Sequence, residues 1–208
     1  MLKMDEGKTT ADLIAAMQAT TTPEWLTATG GPGVAMPAGV SNATIEMEEG
    51  NYVLICVIPD AQGVPHIAKG MMKTLTVAGA QAEKVEEPEA DITVDVKDFS
   101  FALSKAVTTG SHVFRTNNEG EQDHEAVLVQ LMPGKTVEDF LGAFEPGAPP
   151  GPPPGVFVGG MQAMADGMHG YFRADIVPGN FVLLCFVPDE AGGAPHFALG
   201  MVEEFTVQ

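Results

Sequence analysis

The chain contains one sequence pattern twice, and this duplication constrains its fold more than any other feature. Residues 50–77 read GNYVLICVIPDAQGVPHIAKGMMKTLTV, and residues 179–207 read GNFVLLCFVPDEAGGAPHFALGMVEEFTV. Each copy has an apolar run that ends in Cys, then a turn, a His after Pro, and a Met after Gly. Short apolar runs bounded by Pro and Gly are typical of strands. The duplication therefore predicts two related β-rich units.

The similarity extends upstream to a short helix in each copy, within residues 7–17 and 134–144. In both places a Thr precedes an Asp by three residues, which is the spacing of a capping pair. Apolar residues follow on one helical face. The pairs are Thr9 with Asp12 and Thr136 with Asp139. We predict that a short amphipathic helix begins at each pair.

Only the second copy is preceded by further strand candidates, which lie within residues 91–131. Alternating apolar residues predict half-buried strands there, and residues 108–111 and 117–120 have the composition of turns. The strand candidates are residues 92–96, 99–103, 112–116 and 125–131. We predict a complete unit at 91–208, a linker at 78–90, and at 1–77 the C-terminal half of a second unit.

A half-unit would leave strand edges and an apolar face exposed. Two interpretations of residues 1–77 stay open. In the first, the chain is a fragment of a longer tandem protein whose N-terminal strands are missing. In the second, another polypeptide completes the half-unit, and self-association through this half is then expected.

Composition excludes several functions for the 208-residue chain. Its formal net charge of −18 argues against nucleic acid and anionic lipid surfaces as partners. No segment is long and apolar enough to predict a membrane span. The sequence contains no phosphate loop, no Gly-x-Ser-x-Gly elbow and no His-Glu-x-x-His motif, so we predict that the protein is not an enzyme. The proline run at 149–154 predicts an extended surface loop.

The repeated Cys, His and Met residues are the strongest candidates for a functional site. The chain has two cysteines, Cys56 and Cys185, at equivalent positions of the two copies, so we do not expect a disulfide between them. A lone Cys in such a run is either a buried small side chain or a metal thiolate. A thiolate, two imidazoles and a weak thioether form the ligand set of a type 1 copper site.

Residues 91–208 resemble a cupredoxin domain, a small Greek-key β-sandwich that holds one copper ion near its end. In that family an early His follows an Asn-containing turn, and here NNEGEQDHEAVLV provides His124. The resemblance implies one type 1 copper site with His124, Cys185 and His196 as strong ligands and Met201 as the axial ligand. The spacing of ten residues between Cys185 and His196 is longer than in small members of the family. The matching residues of the first copy imply an incomplete second site, Cys56, His66 and Met71.

The resemblance also implies a function and a location. We expect one-electron transfer to a redox partner protein through the exposed edge of the ligand loop, near Pro195 and Phe197, and a periplasmic or extracellular location with the signal peptide lost from the missing N-terminus. The alternative is a copper-free cupredoxin-like module with a binding or structural role. A third interpretation is copper storage or delivery by Met161, Met164, Met168 and His169. The alternative for these residues is simple packing of a methionine-filled loop on the sandwich.

Overall fold

The computed structural model describes residues 1–17, 22–60, 62–79, 85–145, 147–149 and 151–208, which fold almost entirely into β-strands. They form two compact units. Unit 1 comprises Met1–Thr29 and Glu46–Glu86, and unit 2 comprises Gly30–Ile45 and Glu87–Gln208. The sequence pattern assigned residues 30–45 to the first unit, but in the structure they group with the second.

Unit 1 is a single antiparallel sheet with one helix. Its strands lie in the order β2-β1-β4-β5. Leu13 of the helix packs against Met4 and Val53 on one face of the sheet. The bounds are β1 (Leu2–Met4), α1 (Thr10–Ala16), β2 (Leu26–Ala28), β4 (Gly50–Ile55), a 3₁₀ turn (His66–Lys69) and β5 (Met72–Val77).

Unit 2 is an all-β sandwich of two sheets with one short helix. The first sheet has the order β10-β9-β12-β13, and the second has the order β3-β11-β8-β6-β7, in which only β6 and β8 are parallel. The bounds are β3 (Thr44–Ile45), β6 (Ile92–Lys97), β7 (Ser100–Leu103), β8 (Gly110–Asn118), β9 (His124–Leu131), α2 (Val137–Gly142), β10 (Gly155–Met164), β11 (His169–Ile176), β12 (Gly179–Leu184), a 3₁₀ turn (His196–Leu199) and β13 (Val202–Val207).

Strand β9 is buried on both of its faces, and this explains its continuous apolar sequence. Ala126 and Leu128 point into the core between the two sheets. Val127 and Val129 point the other way and pack with Phe140 of α2. Because successive side chains of a strand alternate between faces, a strand covered by a sheet on one side and a helix on the other must be apolar throughout.

The local signals for the helices are confirmed. Helix α1 begins after Thr9 and helix α2 after Thr136, and each has the reciprocal hydrogen bonds of a capping box with the Asp three residues later. The four strand candidates of the second copy correspond to β6, β7, β8 and β9. Within the described residues, the two α-helices are seven and six residues long. Neither approaches the roughly 20 residues that a membrane-spanning helix needs.

Two predicted turns are wrong in part. Gly110 and Ser111, and likewise Asn117 and Asn118, belong to β8, which is longer than its apolar core. Pairing with β11 on one side and β6 on the other provides hydrogen-bond partners along this length. Tertiary pairing here overrides the local turn propensity of Gly, Ser and Asn. The described residues of the proline run and of the predicted linker are in neither helix nor strand; residues 80–84 and 150 lie outside the described ranges.

Gly160 allows β10 to bend over β9. The pairing of the two strands shifts register between Phe157 and Gly159. Gly160 follows with φ of +134°, and a Cβ atom there would lie 2.4 Å from the carbonyl oxygen of Ala126. A side chain is therefore excluded by both backbone conformation and space.

We predict that Gly160→Ala lowers the free energy of unfolding by at least about 2 kcal/mol, because both the strain and the clash must be relieved by moving the bulge. Urea unfolding followed by far-UV circular dichroism measures this change. Gly142→Ala is the matched control. It lies in α2 with open space around its Cα atom, so the substitution should be neutral or stabilise by up to about 1 kcal/mol. Equal effects of the two substitutions would contradict this account of the bulge.

Candidate metal centre

Three buried side chains converge at one end of the unit 2 sandwich. The potential ligand atoms of His124, Cys185 and His196 all lie within 4.8 Å of one another. All three residues are 0% exposed. Among the described residues, no other group of three or more His, Cys, Asp or Glu side chains has this geometry.

The pairing of β9 with β12 brings two of these residues together. Leu184, the last residue of β12, pairs with Val127 of β9. Cys185 follows directly, and the backbone N–H of Glu125 donates to its Sγ atom at 3.4 Å. His124 is the first residue of β9, so it lies at the same end of the sheet. The strand register thus places an imidazole beside a thiol although 60 residues separate them in the sequence.

The third residue is held by the loop that follows Cys185. The backbone N–H of His196 donates to the carbonyl of Val187 at 2.9 Å, and that of Phe197 donates to the carbonyl of Cys185 at 2.9 Å. These bonds fold the loop back over its own start. The distance between Cys185 Sγ and His196 Nδ1 is 3.4 Å.

Met201 closes the same loop. Its backbone N–H donates to the carbonyl of His196 at 3.0 Å, after Gly200 turns the chain at φ of +104°. The Met201 side chain is fully buried and belongs to the same core cluster as Cys185. The structure therefore places all four sequence-predicted residues of this site at one end of the sandwich.

Each imidazole of the cluster has a ring nitrogen without a hydrogen-bond partner in the described part of the chain. His124 Nε2 lies 2.8 Å from Asp98 Oδ1, and its Nδ1 is buried and unpaired. A carboxylate only accepts, so in the neutral tautomer of the ring Nε2 carries the proton and Nδ1 has the free lone pair. In His196 the unpaired buried atom is Nε2, and the two rings lie 4.7 Å apart. Unpaired buried polar atoms are rare, and binding a metal is one established reason for them. This reason applies to His124 Nδ1, whereas His196 turns Nδ1 rather than Nε2 toward the Cys185 thiol.

The protonation states of the metal-free site follow from burial. Desolvation, with a smaller contribution from Glu125, raises the pKa of the Cys185 thiol to about 12. Burial and the neighbouring His124 lower the pKa of His196. The thiol is therefore protonated and the His196 imidazole neutral at neutral pH. Cys185 would have to release its proton to bind a metal ion, while the His196 imidazole is already in the form that binds metals.

Three residues that contact the site were not identified as functional from the sequence. Asp98 accepts from His124, and the hydrogen bond from His124 lowers the pKa of its carboxyl group. The Phe99 ring lies edge-on against His196 with 5.2 Å between ring centroids. Glu125 accepts from the backbone N–H of Phe186 at 2.9 Å, and burial raises its pKa to about 7. Strand periodicity alone carries no signal for Asp98 and Phe99, because they form a turn that approaches the site only in the folded sandwich.

The corresponding residues of unit 1 form a related but smaller arrangement. The distance between Cys56 Sγ and His66 Nδ1 is 3.5 Å. As in unit 2, the backbone N–H groups of the His and of the residue after it donate back to the start of the loop, here to Ile58 and Cys56. Met71, however, is 57% exposed. Within the described residues, no third His, Cys, Asp or Glu joins this pair. The Cys–His pair therefore forms locally, whereas the third strong ligand is not brought to it.

The other sequence candidates lie in different surroundings. Met161 and Met164 belong to strand β10 and are fully buried in the core, so the expected methionine-filled loop is in fact largely a strand. Met168 packs against the same core, and His169 Nε2 lies 2.9 Å from Glu87 Oε1. Pro195 and Phe197, the residues of the expected electron exit, are both half-buried, and the Phe197 ring packs edge-on against Phe186.

Unit 2 is thus a sandwich of two sheets with a buried His–Cys–His cluster at one end, the arrangement expected from the cupredoxin resemblance. No family model matches the chain, and no curated protein matches it. Among solved structures it is similar to auracyanin B, with 19% identity, a TM-score of 0.40, and coverage of 60% of this chain and 94% of that chain.

It is also similar to dithionite-reduced auracyanin from the photosynthetic bacterium Roseiflexus castenholzii, with 22% identity, a TM-score of 0.36, and coverage of 56% of this chain and 94% of that chain. A multi-copper oxidase from Pediococcus acidilactici shares 13% identity at a TM-score of 0.29, over 63% of this chain and 29% of that chain.

The two cysteines differ in accessibility, and this difference is testable. Cys185 is fully buried, whereas Cys56 is only partly buried. We predict that iodoacetamide modifies Cys56 in the native, metal-free protein. Its reaction with Cys185 should be slower by a factor of at least about ten, because a thiol reacts as an exposed thiolate. Peptide mass spectrometry measures both rates, and unfolding in urea should make them similar. Faster modification of Cys185 in the native state would contradict the described burial.

Proposed function

We propose that this protein binds one copper ion in unit 2 and serves as a one-electron carrier. The observation that carries the proposal is the convergence of two imidazoles and a thiol, all buried, with the Nδ1 lone pair of His124 unpaired. His124, Cys185 and His196 would be the strong ligands, and Met201 the axial thioether. Nitrogen and thiolate donors with a weak thioether are the set that suits type 1 copper.

Copper bound there would supply a one-electron couple that the protein's own groups do not possess. The chain's contribution is to hold the ligands in fixed positions. Cys185 and His196 are fixed by the hydrogen bonds of their loop, and His124 by its strand and by Asp98. Ligands that move little between two oxidation states favour fast electron transfer, and a rigid sandwich is suited to hold them. The site is closed to solvent, which favours an electron carrier over an enzyme that must admit a substrate.

The visible spectrum after addition of Cu(II) tests this proposal. We expect an intense thiolate-to-copper charge-transfer band toward the red end, saturating at one copper per chain and bleached reversibly by one electron. Cys185→Ser should abolish the band, because the thiolate is its origin. Cys56→Ser is the matched control and should retain it.

Two other results would contradict the proposal, and each would support a different function. A folded protein with reduced Cys185 and no band would support the copper-free binding or structural module. Cu(I) binding that survives Cys185→Ser but is lost when Met161, Met164 and Met168 are replaced would support copper storage. The burial of Met161 and Met164 in the apolar core speaks against this last function.

Unit 1 suggests a second role in self-association. Three apolar side chains of its sheet and following loop, Leu54, Ile58 and Met71, are 42%, 37% and 57% exposed. We call them the open face. Their counterparts in the repeat, Leu183, Val187 and Met201, lie in or against the core of unit 2, where a second sheet covers them. An uncovered apolar face of this kind is a candidate protein interface.

We expect the open face to drive association at high protein concentration, and Leu54→Lys to reduce it by placing a charge on the apolar surface. Sedimentation velocity over a hundredfold concentration range measures the change. Val156→Lys is the matched control, because Val156 is an equally exposed strand residue of unit 2 at 40%. A protein that stays monomeric throughout the range would contradict self-association.

Export to the periplasm or the extracellular space, and a separate redox partner, remain predictions from the family resemblance. The charge of −18 is compatible with a partner that presents a basic surface.

A further inference from the structure

The turn between β6 and β7 contacts both imidazoles of the candidate metal centre. Lys97 pairs with Ser100, so Asp98 and Phe99 are the two central residues of a tight hairpin. Phe99 has φ of +62°, in the left-handed region that bulky residues rarely adopt. A strained aromatic residue beside a buried cluster indicates that its side chain is needed in that position.

Asp98 fixes the orientation of the His124 ring. Its Oδ1 atom accepts from His124 Nε2 at 2.8 Å and from the backbone N–H of Glu121 at 3.0 Å. The loop at Gly120 is closely fitted to this pair, because a Cβ atom there would lie 2.5 Å from Asp98 Oδ1 and 2.6 Å from His124 Nε2. The proton is thereby held on Nε2, and Nδ1 is left free.

Phe99 covers the second imidazole. Its ring lies at 79° to the ring of His196, with 5.2 Å between centroids. Phe99 itself packs against the core cluster of unit 2 and is half-buried. His196 is 0% exposed, so its unpaired Nε2 is shielded from water. One two-residue turn therefore contacts both imidazoles of the cluster, each through a different side chain.

We propose that the Asp98–Phe99 turn is the positioning element of the metal centre: Asp98 holds His124 with Nδ1 free to bind the metal, and Phe99 keeps water and small ligands away from His196. This inference rests on the proposed copper function. A carboxylate behind a metal-binding imidazole fixes its tautomer and raises its basicity, and loss of such a partner typically weakens metal binding about 10- to 100-fold.

The Asp98 arm is tested on the full chain, first without metal. In ¹⁵N-correlated spectra of the imidazoles, we expect a single Nε2–H tautomer for His124 in the wild type, a mixture in Asp98→Ala, and recovery in Asp98→Asn, which keeps an acceptor oxygen. Asp91→Ala is the matched control, because Asp91 also accepts a backbone N–H bond, from Val113 at 2.8 Å, at a different end of the sheet. In Cu(II) competition titrations, Asp98→Ala should then bind copper about 10- to 100-fold more weakly than the wild type, and Asp91→Ala should not differ from the wild type.

The Phe99 arm uses Phe99→Gly, which removes the ring and relieves the backbone strain. We expect faster solvent exchange of the His196 ring N–H in the metal-free protein, and binding of azide to the copper-loaded variant that the wild type does not show. Ala38→Gly is the matched control, since Ala38 is the other described non-glycine residue of unit 2 with φ of +62°. Gly at that position relieves similar strain without touching the cluster.

The outcomes separate this inference from the proposed function. An unchanged His124 tautomer in Asp98→Ala, with copper affinity equal to that of Asp91→Ala, would overturn the role of Asp98. Unchanged His196 exchange in Phe99→Gly would overturn the shielding role. The imidazole spectra decide both points whether or not the wild type binds copper. A normal copper band with unaffected imidazoles would leave the proposed function intact and refute the positioning element.

Discussion

The candidate metal centre depends first on the register between strands β9 and β12. That register pairs Leu184 with Val127 and so brings the thiol of Cys185 to the end of the strand where His124 begins. A slip of one residue would turn every side chain of β9 to the opposite face of the sheet. The residues that now face the core between the sheets would then face α2, and those that face α2 would face the core. The packing of Leu128 on one side and Val129 on the other therefore also secures the positions of the ligand side chains.

Burial determines the chemistry that the cluster can perform. Desolvation keeps the Cys185 thiol protonated and the His196 imidazole neutral, so these two groups carry no charge in the metal-free site. His124 Nδ1 and His196 Nε2 remain buried without hydrogen-bond partners. If Cys185 exchanged its proton for a cation, that cation would provide a partner for His124 Nδ1. A thiolate and imidazoles would then surround a centre closed to water. The proposed electron transfer requires no access of a substrate to such a centre.

The two copies of the sequence pattern show how far local sequence can build such a site. Cys56 and His66 adopt the same close pairing as Cys185 and His196, because the loop between them folds through its own backbone hydrogen bonds. The surroundings differ greatly. Leu54 is 42% exposed, whereas its counterpart Leu183 is 1% exposed beneath a second sheet. The loop is thus a local structure, while burial and the third strong ligand require a complete sandwich.

The sequence by itself predicted strands β6 to β9, the two capped helices and the four candidate site residues, because these depend on periodicity, on contacts three or four residues apart, and on a motif that repeats. It did not predict that residues 30–45 would join unit 2, that Met161 and Met164 would lie in a buried strand, or that Asp98 and Phe99 would contact the two imidazoles. These outcomes arise from strand pairing and from the packing of one sheet on another. Only the tertiary structure decides them, because they depend on contacts between residues that are far apart in the sequence.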